Sequence, residues 1–253
     1  MLWSTIIWGV AIHLSGSSIP ASRSLLVFSK TAGYRHESIP VARKALLDMG
    51  IERGWTVTFT EDADQFEASR LKAFDAVVFL MTTGDVLNAK QEKAFEGFVR
   101  AHGGYVGVHS AADTEYDWAW YGRLVGAYFL SHPEQQEAVV NIEDVKHVST
   151  SFLPNPWRRK DEWYDYRVSP RSGVHVLASL DQSSYKGSKM AADHPIMWCH
   201  EFEGGRSWYT GMGHTQESYA DPAFLKMLGE GIEWACGNSR RMTTDPSTST
   251  SSK

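Results

Sequence analysis

Residues 103–113 read GGYVGVHSAAD, and the fold is decided there. Residues 105–108 (YVGV) are short and apolar, as a buried strand is. HSAAD then breaks abruptly away from it. A buried strand that turns sharply at its carboxyl end belongs to parallel α/β sheets, which carry their chemistry at those ends. Working outward, residues 25–29 (LLVFS), 55–60 (WTVTFT) and 75–81 (DAVVFLM) read as three more strands. Between them lie a helix over 37–54, with Ile39, Ala42, Leu46 and Met49 at helical spacing and Pro40 in its first turn, and a short helix over 65–72. A helix over 88–101 carries Ala94, Phe95, Phe98 and Val99 on its apolar face, and Gly103-Gly104 reads as its C-cap. Alternating strands and helices with continuously apolar strands predict an α/β fold, a parallel sheet with helices on both faces. The C-terminal half is strand-rich, with strands over 136–142, 174–180, 196–203 and 207–212 and a closing helix over 221–235.

The composition bounds the function. In 253 residues, 42% are hydrophobic and 22% charged, which excludes a disordered chain, a collagen and a multi-span membrane protein. A net charge of −5 gives no basic field for a nucleic-acid partner. Two cysteines are too few for a disulfide scaffold or a Cys-rich zinc module; Cys199 and Cys236 could pair or stay free. Ten His and ten Trp are the unusual counts.

Residues 2–14 (LWSTIIWGVAIHL) are apolar, and small residues come next over 16–22, so 1–22 reads as a signal peptide cleaved near Ala21, although no Lys or Arg precedes the apolar run. That predicts a secreted protein with no membrane attachment after cleavage. Residues 237–253 (GNSRRMTTDPSTSTSSK) lack the apolar content to order themselves and read as a disordered tail. One domain remains, 23–236.

The strand ends collect a small set of residues. Tyr34, Arg35 and His36 come after the first strand, Thr83, Gly84 and Asp85 after the third, His109, Ser110 and Asp113 after the fourth, and Gly213, His214 and Thr215 after the last. Three histidines thus fall on one edge of the sheet. His109 and His214 are candidate acid/base residues with Asp85 beside them; His36, His109 and His214 are also candidate ligands of a divalent metal such as zinc. His109 could equally cap or pack, and His214 could act through a neighbour. His36 and Arg35 precede a helix N-terminus, a natural hydroxyl or anion site. His132, Glu134, His194, His200 and Glu201 offer further ligands, but no H-E-x-x-H or paired C-x-x-C specifies a metal. Trp118, Trp163 and Tyr164 could stack a sugar ring, the last two within DEWYDY (161–166), which packs two aromatics between three carboxylates.

Several of these stretches together resemble the ThuA-like family, named for a trehalose-utilisation protein: VFSKTAGYRHESIP (27–40), Thr83-Gly84-Asp85, HGGYVGVHSAADT (102–114), DEWYDY, HPIMWCHEFEGGRSWYTGMGHTQESY (194–219) and FLKMLGEGIEWACG (224–237). The resemblance implies a flavodoxin-like, class I glutamine amidotransferase-like fold. Catalytic amidotransferases carry a Cys nucleophile at the strand-four turn; here that position is His109, while His214 is similar in place to their late His. Glutamine hydrolysis is therefore not expected. The family's association with trehalose and keto-sugars implies a carbohydrate ligand. Three functions compete on the sequence: a carbohydrate-active hydrolase, lyase or isomerase; a sugar-binding module without chemistry; and a metal-dependent hydrolase of a non-sugar substrate. Oligomeric state is not legible.

Overall fold

A computed structural model describes residues 22–237. The signal-peptide reading of 1–22 and the tail reading of 237–253 fall almost entirely outside them. In chain order the elements are β1 (Ser24–Phe28), α1 (Ile39–Arg53), β2 (Thr56–Thr60), α2 (Ala68–Leu71), β3 (Ala76–Leu80), α3 (Ala89–Arg100), β4 (Gly104–Val108), α4 (Ala119–Val125), β5 (Phe129–Ser131), β6 (Gln136–Ile142), β7 (Trp157–Asp161), β8 (Asp165–Tyr166), β9 (His175–Asp181), β10 (Pro195–Phe202), β11 (Gly205–Thr210) and α5 (Pro222–Cys236).

Nine strands form one sheet in the order β2-β1-β3-β4-β11-β10-β9-β6-β7. The first five are parallel, and β10, β9, β6 and β7 add antiparallel to one another. The sheet is thus mixed, where the apolar runs alone predict a parallel one. The reason is local. Glu203 (φ 46°) and Gly204 (φ 97°) close a two-residue hairpin between β10 and β11, which fixes them as antiparallel partners.

Helices cover both faces. A Cβ added to Gly104 at the start of β4 would meet the backbone of Ala235 on α5, so the next residue, Tyr105, points the other way, against Phe95 of α3 and Tyr121 of α4. α1 buries Ile39, Ala42, Leu46 and Met49, the expected stripe. Asn88 caps α3 in a reciprocal pair with Gln91. Gly103 is not that helix's C-cap, which is Ala101. It is small because a Cβ there would strike the Phe98 ring at 2.4 Å. β1, β3 and β4 are buried along almost their whole length, so their carboxyl ends are rigid mounts for the loops attached to them.

Candidate active site

His109 is the pivot. β4 ends in extended backbone at Val108, and His109 then takes φ 51°, a conformation L residues rarely adopt. Its ring is fully buried. Nδ1 lies 2.8 Å from the Gly211 carbonyl, just past β11, so the proton sits on Nδ1 and Nε2 is left as a lone pair. That lone pair faces His214 Nδ1 at 3.1 Å and Glu162 Oε2 at 3.3 Å. Glu162 Oε2 is 3.0 Å from His214 Nδ1. His36 closes the group, its ring centroid 4.9 Å from that of His109 and 5.0 Å from that of His214, with Nδ1 3.4 Å from the Ser110 hydroxyl.

One ligand atom from each of these four residues lies within 4.8 Å of the others. Donors about 2.0–2.1 Å from a tetrahedral zinc stand about 3.3–3.4 Å apart, close to the observed spacing of the His109, His214 and Glu162 atoms. Three imidazoles and a carboxylate suit zinc or a neighbouring divalent metal. The electrostatics agree. Burial, then repulsion by His109 and His214, pushes His36 down to about 2, so it is a neutral donor. Burial alone would raise the Glu162 carboxyl, but the His109 and His214 imidazoles set against it outweigh that and hold the carboxylate ionised, well below its usual range.

Asp161, fully buried at the end of β7, builds the cluster from below. Its Oδ1 accepts the backbone N–H of Glu162 (3.0 Å) and of His214 (3.0 Å). Its Oδ2 accepts the N–H of Gly213 (2.9 Å), the Ser218 hydroxyl (3.2 Å) and Arg159 (3.3 Å). A cavity of about 390 Å³ opens over the cluster. Tyr164 lies over His109 with ring centroids 4.1 Å apart, and Phe129 lies 4.2 Å from Tyr164. His132 Nδ1 reaches Glu162 Oε1 at 3.3 Å, and Asp113 lines the same cavity, its carboxyl raised by burial although Tyr116 donates to it at 2.5 Å.

A family model described as ThuA, trehalose utilisation, matches residues 24–235. The chain belongs to the ThuA family. Among solved structures, a ThuA-like protein from Bacteroides uniformis is 23% identical, with a TM-score of 0.73 over 84% of this chain and 91% of that one. One from Parabacteroides merdae is 21% identical, with a TM-score of 0.71 over 85% and 90%. A β-galactosidase from Rahnella sp. R3 is 16% identical, with a TM-score of 0.51 over 84% of this chain and 31% of that one. These likenesses show the fold. No functionally curated protein matches the chain.

Within this ThuA fold the three strand-end histidines, His36, His109 and His214, meet. Tyr164 also reaches the pocket. The other residues singled out by sequence lie elsewhere. Asp85 is exposed and lines a separate depression with Lys30, Glu61 and Asp62, just past the left-handed turn at Gly84 (φ 74°). Arg35 points away to pair with Glu61 at 2.8 Å. Trp118 is buried against Trp120 and Tyr121, its indole N–H on Glu96. Trp163 is fully buried, its indole N–H on the Gln136 carbonyl. Among the described residues Cys199 and Cys236 are free and buried. Glu201 is exposed on β10, and His194 and His200 spend ring nitrogens on the Tyr164 and Leu124 carbonyls. Glu162 is not singled out by the sequence; its one signal is the packing of carboxylates around aromatics in DEWYDY.

Proposed function

We propose that this ThuA-family protein is a metal-dependent enzyme acting on a carbohydrate, a trehalose-like disaccharide, keto-glycoside or oligosaccharide, as a hydrolase, lyase or isomerase. The observation that carries this is the convergence of His36, His109, His214 and Glu162 under an aromatic-walled cavity. Trehalose utilisation, the description of the family, supports the sugar. The metal would be held by those four side chains. It supplies Lewis acidity towards a carbonyl, hydroxyl or water oxygen.

The protein's own groups do the rest. Phe129, seated on the buried Tyr164 ring, offers an apolar face to a sugar ring. His132 Nδ1 stands 2.9 Å from the Pro133 carbonyl and 3.3 Å from Glu162 Oε1, both acceptors, so its proton sits there and Nε2 is left as a base. Asp113, its carboxyl raised by burial, lines the same cavity and is the candidate acid. No nucleophilic Cys stands at the His109 turn, in keeping with acid–base chemistry in place of glutamine hydrolysis.

The test is elemental analysis of protein purified without chelator, with turnover of trehalose, its 3-keto form and plant polysaccharides by the loaded protein. About one metal per chain, lost in His109→Ala together with turnover, is expected. Less than ~0.1 metal per chain would count against the metal, because such a ligand set binds zinc tightly. Equal turnover by wild type and His109→Ala would overturn the site.

A further inference from the structure

The cavity over the cluster has a neighbour. A second cavity of about 450 Å³ adjoins it, and Tyr34, Gln135 and His214 line both. Each is within the range of small-ligand sites, roughly 300–1,000 Å³. Tyr34 stands at the divide. Its carbonyl is held by the Thr83 hydroxyl at 2.8 Å and its ring lies edge-on to His36, centroids 4.9 Å apart. Yet the residue is 63% exposed. A large aromatic ring fixed at its base and left open at a cavity mouth is a stacking platform.

We propose that the second cavity is a subsite for an uncharged sugar ring, so that the ligand is a two-ring glycoside whose junction passes His214. This rests on the carbohydrate reading of the first cavity and adds where the ligand extends and what charge it bears. The outer wall is Glu37, Gln216 and Glu217, all exposed, whose side chains have no hydrogen-bond or ion-pair partner among the described residues. Carboxylates and amides left free at a cavity wall accept from sugar hydroxyls. Neither cavity is lined by a Lys or Arg, so a phosphate or uronate in the second cavity would meet Glu37 and Glu217 with no counter-charge.

The experiment is titration calorimetry on the zinc-loaded full chain with glucose, trehalose, cellobiose and trehalose phosphorylated on both rings. The neutral disaccharides should bind at least tenfold more tightly than glucose, and the doubly phosphorylated one at least tenfold more weakly than trehalose. The variant Gln216→Ala/Glu217→Ala alters only exposed side chains of the second cavity; it should lose the disaccharide advantage while binding glucose as wild type does. Equal affinity for glucose and disaccharides, or parallel weakening of both in the variant, overturns the subsite. Tighter binding of the phosphorylated sugar overturns its neutrality. A disaccharide preference without turnover would leave the subsite standing and overturn the enzymatic reading alone. No binding of any sugar overturns both.

Discussion

Glu162 Oε2 lies 3.0 Å from His214 Nδ1, although 52 positions of chain separate the residues, and one buried carboxylate holds the backbone of both. Asp161 takes their two N–H groups on a single oxygen and so fixes the two backbone points from which the ligand side chains project. In Asp161→Asn, an amide N–H₂ replaces one oxygen among five donors and Arg159 loses a buried counter-charge. Loss of about 3 kcal/mol of stability is expected by urea denaturation. Zinc affinity should fall about 10–100-fold in a competition titration, as it does when a group orienting metal ligands is removed. An Asp161→Asn protein that binds zinc like wild type would show that the ligands hold their own positions.

Acid should unload the same group. His36 is pushed down to about 2 by burial and by its two histidine neighbours, against an ordinary value of 6.5. The unfolded chain takes up that proton below pH 6.5 and the folded chain resists it. Stability from His36 is therefore present above pH 6.5 and declines as pH falls towards 2. Replacement His36→Gln should flatten the acid limb of a stability–pH curve measured on metal-free protein. An unchanged limb would mean that His36 is not held neutral.

Glu115 should act in the opposite direction. It is 3% exposed, and burial raises its carboxyl to about 7 although it accepts the N–H groups of Val86 and Leu87. The folded chain keeps this proton between pH 4.5 and 7 while the unfolded chain has lost it. Stability therefore falls as pH rises through that window and levels above 7. Glu115→Gln keeps an acceptor for both N–H groups and removes the titration. It should be more stable than wild type at pH 8, by up to about 3 kcal/mol, and indistinguishable near pH 4. Chemical denaturation at the two pH values checks this.

How much of this can be read from the sequence depends on how local the cause is. His109 is legible because an apolar run ends where its strand ends and the next polar residue stands on the sheet's edge, and His36 and His214 because they lie in the loops that leave the same edge. Glu162 is hidden because β7 reads WRRKD. Its buried middle residue is Arg159, held inward by Asp161 and Asp221, so the usual alternation of apolar and polar is lost. Trp118, Trp163 and Tyr164 look alike as sequence. Only packing against α3 and β6 or against His109 separates core from wall. The antiparallel half is illegible for a different reason. Strand direction is set by connections, and Glu203-Gly204 does not contain the Asn-Gly or Asp-Gly that marks a tight hairpin.

The backbone at His109 gives the sharpest test of why a histidine stands at this turn. At φ 51° an L side chain costs roughly 1–2 kcal/mol that glycine does not incur, partly offset by the greater freedom glycine loses on folding. Separating the backbone's preference from the ring's role needs two variants, His109→Ala and His109→Gly. Both delete the ring, the bond to the Gly211 carbonyl and the ligand atom, so both should lose the metal. They differ in backbone. If the turn is strained and held by the surrounding sheet, the glycine variant should be the more stable of the two by about 1 kcal/mol in urea, despite having one methyl fewer to bury. A more stable alanine variant would show that the turn is relaxed for an L residue. The conformation would then be no reservoir of strain, and the histidine would be there for its ring alone.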